Sequence, residues 1–230
     1  VFFSLNKMKV CVLGADGFIG KNLLLGTDWV GVTRKDVDLL DQSAVEEFFN
    51  INTYDVVVHC ASSIDQQNET TTYKNILMFE NVSRVFKGKL LYFSSGAALR
   101  GNPPIDPYGL SKWIIDQRIK VIPHAYTLRI WGCYGPGELP TRFSAVCKRE
   151  GHVIIERDRY FDFIDVADVK TIVQEYVYSK WEMPKCCNLV YPEKKLLSEW
   201  ATFFGASWEI QDISKLGESY IFKDFSTHIK

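Results

Sequence analysis

Short apolar runs alternate with longer mixed stretches over the first 130 residues of the chain. The runs are rich in β-branched residues, and their length is typical of buried strands. They lie at residues 9–13, 29–33, 55–60, 89–93 and 125–130. The stretches between them predict helices at residues 18–25, 43–49, 73–86 and 108–119. This alternation predicts an α/β fold, a doubly wound parallel sheet with right-handed crossovers and helices on both faces.

Two helix starts and the later part of the chain carry further signals. Ser43 with Glu46 three residues later predicts a capping box. Asp106 as N-cap and Pro107 as the first helical residue predict the start of another helix. After Gly137 the pattern is less regular. The elements predicted there are a helix over 142–150, a strand over 153–156 and a helix capped by Asp168 that runs to about residue 178.

Composition narrows the classes of protein that this chain can represent. Its 230 residues are 47% hydrophobic, which is enough for one sizeable core. A net charge of −1 argues against nucleic acid or a charged membrane surface as the partner. No apolar run approaches the ~18 residues of a membrane helix, and residues 1–7 are too short and mixed for a secretory signal. The six cysteines form no Cys-x-x-Cys pair, so we expect reduced thiols, no metal site and a cytoplasmic protein.

Three glycines follow the first strand and lead into the first helix, at Gly14, Gly17 and Gly20. The first permits a tight turn, the second lets backbone approach a pyrophosphate, and the third allows close packing of helix on sheet. The amide groups at the helix start favour negative charge. The turn therefore predicts a dinucleotide site that includes Gly14, Asp16, Gly17, Phe18, Ile19 and Gly20.

The end of the second strand indicates which dinucleotide is preferred. NAD sites usually carry a carboxylate there, which binds the adenosine ribose. Here Arg34 offers a planar fork suited to a 2′-phosphate, so NADP(H) is favoured over NAD(H), although Asp36 weakens this argument. Asp41 is a candidate for the adenine amine, and equally for a cap of the following helix.

A tyrosine and a lysine lie four residues apart on the helix that Asp106 starts. Tyr108 and Lys112 therefore share a helix face. An ammonium beside a phenol favours the phenolate, which lowers the phenol's pKa from ~10. Tyr108 can then exchange a proton with a carbinol or carbonyl oxygen during hydride transfer. Lys112 can also bind the nicotinamide ribose, so it counts as a catalytic and a cofactor-binding residue.

Motifs spread over roughly residues 8–170 make the chain resemble the extended short-chain dehydrogenases/reductases, which include nucleotide-sugar epimerases, dehydratases and reductases. The motifs are GADGFIG, HCAS at 59–62, Asn75 in YKN, YFSSGA at 92–97, YGLSK and CYGPGE at 133–138. The stretch TRKDVDLLD at 33–41 is similar to the GDP-fucose synthase branch, which uses NADPH.

This resemblance implies an architecture, a substrate and a partner. It implies an NADP(H)-binding Rossmann domain over residues 8–138. It also implies a small substrate-binding part over 139–230 that packs partly back on that domain. Leu40 and Ala61 become further cofactor contacts. The expected substrate is a nucleotide sugar, and the helices at 73–86 and 108–119 are expected to pair in a homodimer.

One departure from the family pattern concerns the hydroxyl that assists the tyrosine. The family places a Ser or Thr after its fourth strand, and the matching residue here is Gly96. Either Ser95 replaces it, as the third catalytic residue, or the hydroxyl is missing. Ser94 and Gly96 are assigned to the substrate. Loss of one positioned donor would lower the rate on the order of a hundredfold.

Other departures concern the substrate. Ala98 and Arg142 match the Cys and His with which fucose synthases epimerise carbons, so plain ketone reduction is expected. Cys133 is interpreted as a buried bystander. Phe161 stands where many relatives have an Arg that clamps the diphosphate. The candidate replacements are Arg142, Arg157 and Arg159.

The sequence thus predicts an NADP(H)-dependent oxidoreductase acting at C4 of a nucleotide-linked keto sugar, with Tyr108 as proton donor. A nucleotide-sugar 4-epimerase that retains NAD is the first alternative. A catalytically weak protein that senses NADP(H) is the second, and Gly96 and Phe161 motivate it.

Overall fold

The computed structural model describes residues 8–223. The expectation for residues 1–7 therefore lies outside the described residues. A six-stranded sheet in the order β10-β5-β4-β3-β1-β2 organises the fold. Its strands are β1 (Val10–Leu13), β2 (Val30–Val32), β3 (Val56–His59), β4 (Lys89–Ser95), β5 (Ala125–Ile130) and β10 (Cys186–Leu189). The pairs β1–β2, β1–β3 and β3–β4 are parallel, which confirms the predicted doubly wound α/β class.

Helices follow most strands of this sheet, as the apolar pattern predicts. They are α1 (Phe18–Leu24), α2 (Gln42–Ile51), α3 (Thr70–Val85) and α4 (Pro107–Lys120), with a 3-10 helix at Gly96–Leu99. All residues of β1 and β3 are buried. Strands covered on both faces need apolar side chains at every position, which explains the continuous runs in the sequence.

The described residues form two compact units. The first comprises the described residues up to Leu128 together with Val173–Cys186. The second comprises Arg129–Ile172 and the described residues from Cys187 onward. Both units are discontinuous in sequence. The division between residues 138 and 139 stays a prediction. The functions assigned to the two predicted parts stay predictions.

The second unit is built from short elements around aromatic side chains. They are β6 (Gly132–Tyr134), α5 (Phe143–Glu150), β7 (His152–Ile155), β8 (Tyr160–Phe161), β9 (Phe163–Asp165), β11 (Lys195–Leu196), α7 (Leu197–Phe203) and β12 (Ser207–Ile210). The helix α6 (Val166–Tyr178) begins in this unit and ends in the first. The rings of Phe163 and Trp200 lie 5.3 Å apart, and those of Tyr134 and Phe204 lie 5.0 Å apart. This unit therefore has its own core.

Two predicted helix starts are wrong. The helix α2 begins at Gln42, because the Asp41 carboxylate accepts a hydrogen bond from the amide of Ala44 at 3.1 Å. Ser43 is consequently inside the helix. The helix α6 begins at Val166, two residues before the predicted cap Asp168. The carboxylate that binds an amide at this start is Asp165, which accepts from Ala167 at 2.8 Å.

The predicted start of α4 is confirmed. Pro107 is its first residue, and the Asp106 carboxylate accepts a hydrogen bond from the amide of Gly109 at 2.7 Å. A proline at this position loses no helical hydrogen bond. The cap fixes where the helix begins. Tyr108 therefore lies in the first turn and Lys112 lies about one turn after it.

Candidate active site

A cavity of about 340 Å³ lies at the carboxyl ends of β1, β2 and β3. Among its lining residues are Gly14 and Gly17 after β1, Arg34 after β2, and Ala61 after β3. Parallel strands place their carboxyl ends along one edge of a sheet, so these loops meet although they are far apart in sequence. Apolar walls with a few polar groups are typical of a small-molecule site.

The glycine turn is held against neighbouring backbone. Gly14 has a φ of +80°, and a Cβ atom there would lie 2.6 Å from the amide nitrogen of Ala61. A Cβ on Gly20 would lie 2.3 Å from the carbonyl oxygen of Gly14. Only glycine fits either position without movement of the backbone. The turn therefore has the close packing predicted for it.

Several predicted cofactor-binding residues line this cavity. They are Gly14, Asp16, Gly17, Arg34, Leu40 and Ala61. Phe18, Ile19 and Gly20 form the first turn of α1. Lys112 lies on α4 in the same unit, where it is buried, and it is not among the lining residues of the cavity. Their roles toward a cofactor stay predictions.

The carboxylate of Asp38 was not predicted, yet it lines the cavity. It accepts a hydrogen bond from the Leu40 amide at 3.1 Å and forms an ion pair with Arg34 at 3.0 Å. The backbone hydrogen bond, followed by the guanidinium, lowers the pKa of this carboxyl below its ordinary value. Asp41 caps α2 instead. The run DVDLLD contains three carboxylates, those of Asp36, Asp38 and Asp41, and only the fold distinguishes their environments.

Asp36, which weakened the argument for NADP(H), turns back onto its own strand end. Its carboxylate accepts hydrogen bonds from the amide of Thr33 at 2.7 Å and from the Thr33 hydroxyl at 2.8 Å. The amide bond and then the hydroxyl bond lower the pKa of Asp36. The neighbouring guanidinium of Arg34 is 77% exposed. The Arg34 guanidinium thus lines the cavity as an exposed cation whose partner is Asp38 and not Asp36.

The structure brings Tyr108 and Lys112 together. Lys112 Nζ lies 5.6 Å from the centre of the Tyr108 ring. The Tyr108 side chain is half-buried, whereas Lys112 is only 2% exposed. The ammonium is therefore buried while the phenol still reaches the surface. Water screens a buried charge less than an exposed one, so the charge on Lys112 acts more strongly on nearby groups than a surface charge would.

The Lys112 ammonium donates two hydrogen bonds to β4. One goes to the Tyr92 hydroxyl at 2.8 Å and one to the Phe93 carbonyl at 2.9 Å. Burial lowers the pKa of Lys112 to about 7, against smaller opposite effects of Asp116 and Cys60. Tyr92 was not predicted as a site residue. Its signal was a polar hydroxyl among the apolar residues Leu90, Leu91 and Phe93.

His59, at the end of β3, lies near Tyr92 and Lys112. It is 1% exposed, and its ring centre lies 5.4 Å from that of Tyr92. Burial and then the nearby Lys112 ammonium lower the pKa of His59 to about 4, against weaker effects of backbone groups. The imidazole is therefore neutral at physiological pH.

The three residues after the apolar part of β4 have distinct environments. Ser94 is buried, and its hydroxyl makes no hydrogen bond among the described residues. The Ser95 hydroxyl accepts a hydrogen bond from the Ala97 amide at 3.2 Å and caps the 3-10 helix. Gly96 begins that helix and supplies no hydroxyl. Whether Ser95 assists Tyr108 stays a prediction.

Asn75, one of the motif residues, connects three segments of the first unit. Its amide donates to the Ser111 hydroxyl at 2.9 Å and to the Ser63 carbonyl at 3.0 Å. Its oxygen accepts from the Ser63 amide at 2.8 Å. These bonds fix the loop after β3 against α3 and α4, and thus support both the cavity wall and the helix of Tyr108.

The predicted substrate residues Arg142 and Arg159 belong to the second unit. Both side chains are exposed, and Arg142 is the N-cap residue of α5. Arg157, the third candidate, instead forms an ion pair with Asp212 at 2.6 Å. This pair is partly exposed, so it does not decide between the three arginines. The assignment of Arg142 and Arg159 to the substrate stays a prediction.

Phe161 occupies an aromatic stack within the same unit. Its ring centre lies 4.5 Å from Phe163 and 5.1 Å from Tyr220. The next residue, Asp162, is buried and accepts hydrogen bonds from Lys194 at 2.9 and 3.0 Å. Burial raises the pKa of Asp162, against the lowering effect of Lys194. The departure from arginine therefore serves the packing of this unit.

Cys133 has the environment of a structural thiol. It is buried, and burial raises its pKa well above the ordinary value. The thiolate is the reactive form of cysteine, so this residue is poorly suited to move protons at carbon. Residues 8–223 hold no group of three His, Cys, Asp or Glu side chains arranged for a metal. No helix in this range is long and apolar enough to cross a membrane.

Comparison with known proteins identifies the family. Residues 10–174 match the model of the NAD dependent epimerase/dehydratase family. A putative UDP-glucose 4-epimerase from Methanocaldococcus jannaschii is 27% identical over 177 residues. That match covers 62% of this chain and 56% of the relative, so it spans little more than half of the relative's length.

Solved structures with the same fold include complexes with both dinucleotides. The dTDP-4-dehydrorhamnose reductase of Bacillus anthracis, with NADP, is 19% identical with a TM-score of 0.77, over 94% of this chain and 89% of its own. A GDP-L-fucose synthetase of Naegleria fowleri, bound to NADP, is 14% identical with a TM-score of 0.79, over 94% of this chain and 83% of its own. The UDP-glucose 4-epimerase of Thermus thermophilus, in complex with NAD, is 19% identical with a TM-score of 0.74, over 88% of this chain and 86% of its own.

These similarities agree with the motifs, the sheet order and the glycine turn. They confirm the predicted resemblance at the level of the family and the fold, and the solved structures of this fold contain NADP in some cases and NAD in others. The chain belongs to the NAD dependent epimerase/dehydratase family.

Proposed function

We propose that the chain is an NADP(H)-dependent oxidoreductase that reduces, or in reverse oxidises, C4 of a nucleotide-linked keto sugar. The observation that carries this proposal is the buried Lys112 ammonium, 5.6 Å from the Tyr108 ring, in the unit that also contains the glycine-lined cavity. A buried cation beside a half-buried phenol is an expensive arrangement that a purely structural helix does not need.

The residues of the cavity fit a dinucleotide. Gly14 and Gly17 present backbone without side chains, and Arg34 presents a cation at the cavity edge. Leu39 and Met78 supply apolar surface on which an adenine ring can pack. A nicotinamide cofactor bound there would supply or accept the hydride.

Tyr108 would handle the proton. In the reducing direction its hydroxyl donates a proton to the sugar oxygen, and in the oxidising direction the phenolate accepts it. When Lys112 is protonated, its ammonium favours the phenolate form of Tyr108. Because the pKa of Lys112 is lowered to about 7, this assistance would be greatest at and below neutral pH. Positioned proton transfer of this kind contributes about 10² to 10⁴ in rate.

The preference for NADP(H) is supported by Arg34 and by the orientation of Asp36. The Asp36 carboxylate is occupied by Thr33, so it does not compete with a 2′-phosphate for the guanidinium. Arg34 pairs with Asp38, but that pair is exposed on both sides. Exposed pairs contribute about 0–1 kcal/mol, which a dianionic phosphate can outweigh.

Ketone reduction is favoured over epimerisation at carbons beside the ketone. The positions of the required Cys and His are held by Ala98 and Arg142, and the thiol of Cys133 is strongly disfavoured as an anion. Arg142 and Arg159 would bind the diphosphate of the nucleotide. The protein would lie in the cytoplasm.

A 4-epimerase is the second candidate, because a relative and a solved structure of similar fold carry that name. Such an enzyme would keep NAD bound through its cycle. Mass spectrometry of the small molecules released from the denatured purified protein distinguishes the two candidates. Stoichiometric NAD indicates the epimerase. Absence of NAD, together with binding of NADPH that is added to the native protein, indicates the reductase.

A homodimer through α3 and α4 is also proposed. Tyr73 on α3 is 66% exposed, and Arg118 on α4 binds Glu80 on α3 at 2.7 Å. The two helices thus form a continuous surface of the first unit. Light scattering after size exclusion is expected to give twice the chain mass, and Tyr73→Glu is expected to give the monomer.

A thermal-shift screen tests the proposed function. NADPH and NADH are each combined with a panel of nucleotide sugars, since ligands that bind only the folded state raise the unfolding midpoint. NADPH is expected to raise the midpoint more than NADH, and a nucleotide 4-keto sugar is expected to add to it. No shift with either dinucleotide would contradict the proposal, and a shift with NADPH but no turnover of any sugar would support the sensor alternative.

A further inference from the structure

Tyr92 occupies a fixed position in the centre of the sheet. It lies on β4, is 1% exposed, and packs edge-on against His59 and Phe79 at 5.4 and 5.2 Å between ring centres. Rings held on two sides have few rotamers available in a close-packed core. The hydroxyl of Tyr92 is therefore held in one place.

That hydroxyl takes up part of the hydrogen-bonding capacity of Lys112. An ammonium has three N–H donors and no acceptor. In the described part of the chain, one donor binds the Tyr92 hydroxyl at 2.8 Å and a second binds the Phe93 carbonyl at 2.9 Å. One donor remains. The Tyr92 ring also lies under the charge, 4.6 Å from Nζ.

We propose that Tyr92 is a positioning residue, which holds the Lys112 ammonium against β4 and directs its remaining N–H toward Tyr108 or the cofactor ribose. This inference rests on the proposed function for its catalytic meaning. The physical reason is that lysine has a flexible stem and a point charge, so a single backbone contact would leave Nζ free to turn. A second acceptor on a rigid ring removes that freedom.

The groups around Lys112 show why the Tyr92 hydroxyl affects its charge as well. The titratable groups that face it are His59 and Cys60 at the end of β3, Tyr92 on β4, and Tyr108 and Asp116 on α4. Burial raises the pKa of Tyr92 well above its ordinary value, so the phenol is neutral and accepts from the ammonium. Loss of this acceptor would lower the pKa of Lys112 further.

The test compares two tyrosine-to-phenylalanine variants. Tyr92→Phe keeps the ring and its contacts and removes only the hydroxyl. Tyr176→Phe is the matched control, because Tyr176 is also fully buried in the first unit and its hydroxyl donates to the Pro184 carbonyl at 2.8 Å. Both variants lose one buried hydroxyl, but only the first loses a partner of Lys112.

The first readout is stability, which needs no cofactor. The unfolding free energy of wild type is expected to begin its Lys112-dependent rise near pH 7. In Tyr92→Phe the rise is expected to begin about one pH unit lower. Tyr176→Phe is expected to keep the wild-type profile at a lower overall stability. Profiles of the same shape for both variants would overturn the proposal.

The second readout is the affinity for NADPH, followed by its fluorescence from about pH 6 to about pH 9. Tyr92→Phe is expected to weaken binding about tenfold at pH 8 and little at pH 6, while Tyr176→Phe matches wild type throughout. Equal affinities for the two variants would overturn the role in cofactor binding. If wild type binds neither NADPH nor NADH, the proposed function fails, and the stability profiles still decide whether Tyr92 holds Lys112.

Discussion

The turn around Arg34 and the buried region around Lys112 both offer a positive charge to the proposed cofactor, but they differ in their access to water. The Arg34 side chain is 77% exposed and pairs with a partly exposed Asp38. Lys112 is 2% exposed and is bound by Tyr92 and Phe93. Water screens the first charge strongly and the second hardly at all.

The difference in exposure determines how much each cation costs in unfolding free energy. An exposed cation recognises a phosphate at little cost to folding, because water solvates it before the ligand arrives. A buried ammonium reduces the stability of the fold at neutral pH, and its effect on a neighbouring phenol is correspondingly large. Substitutions should therefore act on affinity at the first site and on stability and turnover at the second.

Removal of the buried charge is expected to have the largest effect. Between pH 7 and about pH 10 the unfolded chain holds a proton on Lys112 that the folded chain has released, so the unfolding free energy rises with pH. The slope approaches about 1.4 kcal/mol per pH unit. Urea unfolding of wild type and Lys112→Met at several pH values measures the difference between their unfolding free energies. The ionisation of tyrosines is common to both proteins and therefore cancels in this difference. Parallel stability profiles would show that Lys112 keeps its ordinary pKa.

Removal of the exposed charge should change affinity and leave folding nearly unaltered. Arg34→Ala is expected to weaken NADPH binding about tenfold to a hundredfold, since charge-assisted hydrogen bonds contribute about 1.5–3 kcal/mol. Binding of NADH is expected to stay nearly constant, because it lacks the 2′-phosphate. Fluorescence titration of both dinucleotides checks this, with Lys35→Ala as the neighbouring control. An equal loss for both would contradict the preference for NADP(H).

A substitution of Asp41 tests whether this residue serves as the cap of α2, as the structure indicates, while Arg34 serves the cavity. Asp41→Ala removes the cap of α2 and is expected to lower the unfolding free energy by about 1 kcal/mol. NADPH affinity is expected to stay the same. If the denaturant midpoint hardly changes while the NADPH affinity falls, Asp41 binds the adenine amine, which is the other role that the sequence allowed.

The smallest effect is expected for Asp38. Asp38→Asn keeps the acceptor for the Leu40 amide and removes the ion pair with Arg34. Freed of an exposed pair worth about 0–1 kcal/mol, Arg34 should bind NADPH up to about fivefold more tightly. Weaker NADPH binding in this variant would mean that Asp38 contacts the cofactor itself.

Much of the first unit was predictable because its strands are buried on both faces. Val56, Val57 and Val58 are all apolar and all buried, so the run in the sequence directly marks β3. The start of α4 was predictable because Asp106 and Pro107 act through local hydrogen bonds and fixed backbone angles. Tyr108 and Lys112 then follow from helical spacing alone.

The rest depends on contacts between distant residues. The strand β10 is four residues long and contains the polar Asn188, so its sequence lacks the continuous apolar run that marks β1 and β3. The role of Asp41 depended on whether its carboxylate met an amide of its own helix or the cavity. Tyr92 and Lys112 are twenty residues apart in sequence, and no local pattern predicts their hydrogen bond.

The central claim is that Tyr108 exchanges a proton with a sugar oxygen while Lys112 tunes it. It is tested most directly by the initial rate of NADPH oxidation by wild type and Tyr108→Phe, with the nucleotide 4-keto sugar that most raises the unfolding midpoint. The account predicts a rate at least about a hundredfold lower in the variant, with NADPH affinity nearly unchanged. Equal rates for the two proteins would contradict it.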